Sequence, residues 1–212
     1  MNKYSLVAEN VTHTFGRRLI FKDINFSFTG GKIYGLTGSN GSGKSTLAKI
    51  LSGIISQTRG KVIHQFGEKK IEQEKLHEYL GFVSPYLVLY DEFTAEENLR
   101  VISKIRGANF DEEKAKYLLS EFNLYDRRND LLKTYSSGMK QRIKFMFALI
   151  HSPKLLILDE PTSNLDEAGK EKTYGVIKSV ADETLIIIAS NEKSDLELCG
   201  EKINVEDYKN KL

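Results

Sequence analysis

Gly38-Ser39-Asn40-Gly41-Ser42-Gly43-Lys44-Ser45-Thr46 satisfies the pattern G-x-x-x-x-G-K-[ST] of a phosphate-binding loop. Its three glycines let the backbone turn sharply and bring amide N–H groups against phosphate oxygens, where a Cβ would collide. Lys44 supplies a point charge for the outer phosphates, and the Ser45 hydroxyl is placed to ligate Mg²⁺. Upstream, Lys32-Ile33-Tyr34-Gly35-Leu36-Thr37 reads as a short strand. Downstream, Leu47-Ala48-Lys49-Ile50-Leu51 reads as a helix, whose positive end adds to the anion site. Strand, loop, helix is the order such a loop requires, and it separates this stretch from an ordinary Gly/Ser turn. The sequence therefore predicts a nucleotide phosphate site.

Working outward, residues 4–12 and 19–28 alternate apolar positions (Leu6, Val11; Ile20, Ile24, Phe26, Phe28) and predict antiparallel strands. Gly30-Gly31 turns the chain into the loop strand. Beyond the loop helix, Gly60–Phe66 reads as a strand followed by a charged stretch, and Leu80–Val83 as a short buried strand stopping at Pro85. The middle of the chain is helical. Thr94-Ala95-Glu96-Glu97 is a capping box, with Leu99, Ile102 and Ile105 on one face of the helix it opens. Asp111 starts a second helix, with Ala115, Leu118, Leu119 and Phe122 in register. Gly138 leads into a third, carrying Met139, Ile143, Met146, Phe147 and Ile150. Leu155–Leu158 and Thr184–Ala189 are continuous apolar runs, as expected of parallel strands covered on both faces, and ligands sit at the carboxyl ends of such strands.

The 212 residues, 40% hydrophobic and 28% charged, suffice for a buried core. A net charge of +2 with interspersed signs argues against nucleic acid and anionic membrane surfaces as partners. The lone cysteine, Cys199, suits a reducing compartment and reads as packing rather than chemistry. No apolar run approaches the roughly 20 residues of a membrane span, and the N-terminus lacks a signal-peptide pattern. The expectation is a cytoplasmic protein, with any membrane spans supplied by another chain. The short charged tail after Cys199 is expected to add no regulatory domain.

Leu155-Leu156-Ile157-Leu158-Asp159-Glu160 ends a buried strand in two acids. Behind a phosphate loop, Asp159 stands where a carboxylate orients the Mg²⁺ shell, and Glu160 where one polarises attacking water. Pro161-Thr162-Ser163-Asn164-Leu165-Asp166 follows, and Tyr135-Ser136-Ser137-Gly138-Met139-Lys140-Gln141-Arg142 precedes. The order of these motifs resembles the nucleotide-binding domains of ABC (ATP-binding cassette) transporters over essentially the whole chain. The most specific part is Ser136-x-Gly138-Met139-Lys140-Gln141-Arg142, about twenty residues before Leu158-Asp159-Glu160-Pro161-Thr162.

The resemblance implies an α/β fold of the P-loop NTPase kind: a mainly parallel core sheet, an N-terminal antiparallel β region and an inserted α-helical subdomain. One ABC ATPase domain would fill 1–212, with 1–84 and 151–212 as nucleotide-binding core and about 85–150 as the helical subdomain. It also implies ATP and Mg²⁺ as ligands, and a head-to-tail dimer in which a second ABC subunit, a homodimer partner by expectation, completes each site. Ser136, Ser137 and Gly138 would reach the γ-phosphate across that interface, and Ser163–Asp166 would link the two sites. Phe15 matches the residue that stacks on adenine; by its sequence position alone it reads as core. A membrane-spanning permease would be the further partner, holding this chain at the inner face of the membrane.

The chain departs from the family at four places. Pro85 stands where a glutamine usually ends the Phe82-Val83-Ser84 strand, and it offers no side-chain ligand; Ser84 is a substitute. Asn191 stands for the histidine after the last core strand; it donates a hydrogen bond but carries no charge. Tyr135 replaces a leucine and Ser137 a glycine. Losing one charge-assisted contact to the γ-phosphate would cost about 2–4 kcal/mol in the transition state, which predicts slower turnover with binding retained. The leading expectation is thus an ATP-hydrolysing subunit that drives a membrane partner, with catalytic Glu160, Lys44 and Asn191. The alternative is a nucleotide-dependent dimerising switch with weak hydrolysis. A kinase or GTPase is disfavoured, because a GTPase needs a guanine-reading motif and a kinase needs neither Ser136–Arg142 nor Pro161–Asp166.

Overall fold

A computed structural model describes residues 3–209. In chain order the elements are strands β1 (Tyr4–Phe15), β2 (Arg18–Thr29) and β3 (Lys32–Thr37), then helix α1 (Lys44–Leu51) and strands β4 (Arg59–Phe66) and β5 (Lys69–Lys70). A short helix α2 (Leu76–Tyr79) leads into β6 (Leu80–Val83), which is followed by helices α3 (Ala95–Ile105), α4 (Glu112–Glu121) and α5 (Ser137–Leu149). The chain closes with β7 (Leu155–Asp159), α6 (Glu167–Val180), β8 (Leu185–Ala189), α7 (Lys193–Leu196) and β9 (Glu201–Asn204).

These strands form two sheets. One is antiparallel, in the order β2-β1-β4-β5; the other is parallel, in the order β6-β7-β8-β3-β9. The parallel sheet explains the unbroken apolar runs of β7 and β8. Successive side chains of a strand point to opposite faces, and here both faces are covered. Leu155, Ile157, Leu185, Ile187 and Ala189 pack with α1 and the antiparallel sheet. Leu156, Leu158, Ile186 and Ile188 pack with Ile143, Phe145 and Met146 of α5 and with Val176 and Ile177 of α6.

The helical stretch between β6 and β7 begins as its sequence predicts. The Thr94 hydroxyl accepts the Glu97 amide at 3.1 Å, and the Glu97 carboxylate accepts the Thr94 amide at 2.8 Å. Asp111 caps α4 by accepting the Lys114 amide at 2.9 Å. Ala115, Leu118, Leu119 and Phe122 are all buried in the cluster that continues through α5 to the sheet. The helices therefore share one core with the sheet. Among the described residues no helix is long and apolar enough to cross a membrane.

Three features differ from the sequence expectation. The charged stretch after β4 contains β5 and α2. Helix α6 gives little apolar signal, because its buried positions include Gly169 and Thr173 beside Val176 and Ile177. The charged tail after Cys199 is part of the parallel sheet: β9 pairs in parallel with β3, from Tyr34 opposite Glu201 to Thr37 opposite Asn204. Cys199 is buried, as expected of packing, and burial pushes its thiol up to about 11.

Candidate functional site

Strand β3 delivers the chain to Gly38 at the carboxyl end of the parallel sheet, flanked by β8 and β9. Gly38, Gly41 and Gly43 have φ of 138°, 75° and 108°. At Gly43 a Cβ would lie 2.7 Å from Cγ2 of Ile20, so the position excludes a side chain by space as well as by backbone angle. Gly43 opens α1 with no side-chain cap. The amides of the first turn consequently have no partner within the helix, and together with the helix dipole they form an anion site.

Lys44 folds back over the loop, donating to the carbonyl oxygens of Gly38 at 2.9 Å and Ser39 at 3.2 Å. This fixes the ammonium within the loop, with one of its three donors uncommitted. The Ser45 hydroxyl donates to Oδ1 of Asp159 at 2.8 Å, joining the loop to the end of β7. Asp159 is buried, and its Oδ2 has no hydrogen-bond partner. Burial pushes its carboxyl above the ordinary range, opposed by the Ser45 hydroxyl and by Lys49 and Lys44. One hydroxyl oxygen and one orphaned buried carboxylate oxygen, side by side at the phosphate loop, suit a hard cation that takes its other oxygens from phosphate and water. Ser45 and Asp159 thus fit a magnesium ion.

Glu160 has a left-handed backbone, φ 48°, which is costly for a residue with a Cβ. Its amide donates to the Ala189 carbonyl at 2.8 Å. Burial raises its carboxyl most; Lys44 opposes, and Asp159 and Asp195 add to the rise. Glu160 lines one cleft with Phe15, Arg18, Ile20 and residues 40–46, enclosing about 320 Å³. Phe15 is 56% exposed at the end of β1, with its ring edge-on to His13 at 4.7 Å between centroids. The sequence reading of Phe15 as core by its position alone is thereby corrected. The antiparallel pairing runs on past residue 12 to the hairpin at Phe15–Arg18 and carries the ring out to the cleft.

The residues that the sequence reading set apart from the family pattern have definite environments. Asn191 donates from Nδ2 to Oδ1 of Asn40 at 2.9 Å, which ties the loop after β8 to the phosphate loop. Ser84 is buried, and its hydroxyl accepts the Tyr86 amide at 3.3 Å. Pro85 presents its carbonyl to the Lys144 ammonium at 2.6 Å. Tyr135 fills the helical core and donates its hydroxyl to the Arg127 carbonyl at 2.7 Å.

Ser136 caps α5, accepting the Met139 amide at 3.2 Å, and both Ser136 and Ser137 are exposed. Neither they nor Gly138 lines the cleft of Phe15 and Glu160. Gly138 instead abuts the Ser163–Asp166 loop, where a Cβ would lie 3.0 Å from the Asn164 carbonyl. The structure therefore brings together Phe15, Gly38–Thr46, Asp159, Glu160 and Asn191, and leaves Ser136–Gly138 outside that group. Sequence reasoning missed Arg18 and Ile20, which line the cleft, and Glu206, which accepts a hydrogen bond from the Ser39 hydroxyl. The close packing of Ile20 on Gly43 had a faint signal in its apolar strand position; Glu206 had none.

Residues 21–163 match the family model described as ABC transporter, well over half of the chain. The chain is 36% identical over 193 residues to the lantibiotic transport ATP-binding protein SrtF of Streptococcus pyogenes, covering 91% of this chain and 82% of that protein. It is 35% identical over 207 residues to the lipoprotein-releasing system ATP-binding protein LolD of Treponema denticola, covering 91% of each. A putative ABC transporter ATP-binding protein from Pyrococcus furiosus superposes with a TM-score of 0.84 at 20% identity, covering 97% of this chain and 100% of that one; this likeness bears on the P-loop NTPase fold. The family match and these relatives settle the family: the chain belongs to the ABC transporter family, as one of its ATP-binding proteins.

Proposed function

We propose that the protein binds ATP with Mg²⁺ in the cleft between Phe15 and Glu160, and hydrolyses it to ADP and phosphate as a dimer. Residues 38–46 and Lys44 hold the phosphates, and the Phe15 ring stacks on the adenine. Mg²⁺, held by Ser45 and Asp159, would neutralise charge on the outer phosphate oxygens. Glu160 orients the attacking water and accepts its proton, a role favoured by its raised carboxyl. Asn191 donates to the γ-phosphate after releasing Asn40.

The observation that carries the dimer is the position of Ser136–Gly138, exposed at a helix N-terminus and outside the cleft of its own subunit. A second copy, placed head to tail, would bring these residues over the triphosphate. The segment of about 85–150 acts in this reading as the lobe that carries them and faces a membrane-spanning permease. Tyr86, Val88 and Tyr90, exposed by 76%, 82% and 50%, offer the apolar surface for a short cytoplasmic helix of that partner. The protein would then sit in the cytoplasm, peripheral to the inner face of the membrane.

Phosphate release measured with ATP and Mg²⁺, alongside ATP-dependent dimerisation of Glu160→Gln by size-exclusion chromatography, tests this. Turnover in the wild type, its loss in the variant and a tighter ATP-bound dimer are expected. A second reading is favoured by Pro85 and by the Asn191–Asn40 contact: a nucleotide-driven dimerising switch with weak hydrolysis. ATP-dependent dimerisation without phosphate release would select it.

A further inference from the structure

Helix α7 carries a carboxylate that the roles above do not use. Asp195 is fully buried, where a carboxylate is costly unless its oxygens are hydrogen-bonded. Three hydroxyls meet that need. Thr162 and Tyr174 both donate to Oδ1 at 2.8 Å, and Ser190 donates to Oδ2 at 2.7 Å. Two of the donors belong to the loops that frame the reacting end of the cleft. Thr162 lies two residues after Glu160, and Ser190 immediately before Asn191. Both are themselves buried.

Ser190 has a single hydroxyl proton and two carboxylates in reach, Asp195 at 2.7 Å and Glu160 Oε2 at 3.4 Å. The shorter charge-assisted contact holds the proton. The Ser190 oxygen also accepts the Glu192 amide at 3.0 Å, so both its roles are taken. Glu160 is meanwhile held in a strained backbone conformation, of the kind that persists only where surrounding ties over-determine it. Those ties are its own amide on Ala189, the Gln141 amide on the Pro161 carbonyl at 2.9 Å, and Thr162 on Asp195.

We propose that Asp195 is a positioning residue for ATP hydrolysis: by clamping Thr162 and Ser190 to one buried carboxylate it holds Glu160 and Asn191 at a fixed separation. This rests on the hydrolytic reading above. Asp195 is fully buried and outside the lining of the cleft; it acts through two hydroxyls. Replacing it with asparagine keeps the shape and the acceptor for Thr162 and Tyr174, but turns a donor toward Ser190. The Ser190 proton is then released toward Glu160, and the second jaw of the clamp becomes a weaker, neutral contact in which Ser190 accepts.

The experiment is steady-state phosphate release by the full chain with ATP and Mg²⁺, for wild type, Asp195→Asn, Thr162→Val, Ser190→Ala and Tyr174→Phe. The KM for ATP and the melting temperature are measured alongside. Asp195→Asn is expected to lower kcat on the order of 10²-fold, the scale of an ångström of misplacement, with KM for ATP changed less than about twofold. Thr162→Val and Ser190→Ala each lower kcat in the same direction, and Thr162→Val adds little on top of Asp195→Asn, because the two act as one unit. Tyr174→Phe, whose hydroxyl comes from α6 and not from a site loop, leaves kcat within about twofold. Equal kcat in wild type and Asp195→Asn overturns the clamp and leaves the hydrolytic reading standing. A parallel loss of kcat, KM and melting temperature overturns it too, since that is a fold defect. Should Asp195→Asn not fold, unchanged kcat in Thr162→Val and Ser190→Ala overturns it. Absence of turnover in the wild type overturns both readings.

Discussion

On the proposed ATP-binding reading, the rim of the cleft that grips phosphate and the rim that faces the reacting end of a triphosphate draw their parts from very different spans of chain. The first is made within residues 38–46, where Lys44 reaches back only to the carbonyls of Gly38 and Ser39. The second is assembled from Glu160, Ser190 and Asn191, and is held by Asp195, Ala189 and Gln141 on other elements. A locally built rim survives drift elsewhere in the protein. A rim built from tertiary ties changes whenever one tie does. Asn191 falls on the second kind, whereas the gripping rim carries every residue its motif requires.

If the two rims are separable, Glu160→Gln should lower phosphate release by about 10²–10⁴-fold, the worth of a positioned base, while ATP affinity measured by calorimetry stays within a few-fold. A comparable fall in affinity would show that the rims are one unit. Gly43→Ala attacks the other rim. The added methyl meets Ile20 in a left-handed backbone, a cost of about 1–3 kcal/mol, and ATP affinity should fall by roughly 5- to 150-fold. Asn191→His should raise kcat by up to ~10-fold, since a charged donor is about twice as strong as a neutral one; an unchanged kcat would mean that the asparagine already does the work.

Acid should weaken the frame as well as the reacting rim, where burial raises the Glu160 carboxyl. His64, in the antiparallel sheet, and His151, after α5, are each held down to about 4; burial is the main cause for both, and Arg106 adds to it at His151. An unfolded chain protonates these rings below their ordinary 6.5, while the folded chain does so only near 4. The folded state binds fewer protons across that window, so its stability is full above 6.5 and is lost as pH falls toward 4. The loss is about 2 kcal/mol per imidazole by pH 5, read as a falling melting temperature. The smallest effect is expected at Glu206, whose exposed carboxylate the Ser39 hydroxyl holds below the usual range. Glu206→Gln removes a negative charge beside the phosphate loop, and ATP affinity should tighten by no more than ~threefold, because exposed charges are screened.

The same division governs what could be read from the sequence. Strand Lys32–Thr37, the Thr94 capping box and the Asp111 cap were legible because spacing along a few residues dictates them, and the structure holds each where its pattern puts it. The gripping rim was legible for that reason too. Helix α6 was not, since Gly169 and Thr173 take apolar places on its buried side. Nor was β9, whose four residues carry two charges and are half-buried or exposed. The tie from Asp195 to Thr162 joins residues 33 positions apart, and no local pattern marks Asp195. Phe15 was visible as a residue but not as an exposed one, because alternation gives a face and not its surroundings.

The place of β3 in its sheet sets a timetable for biosynthesis. Its neighbours on either side are β8 and β9, which the ribosome makes roughly 150 residues after it, about ten seconds or more later at ordinary elongation speeds. Until then the strand leading into Gly38 has two open edges, the condition in which nascent chains associate wrongly. A ribosome stalled before residue 185 would display the whole nucleotide motif and be unable to use it.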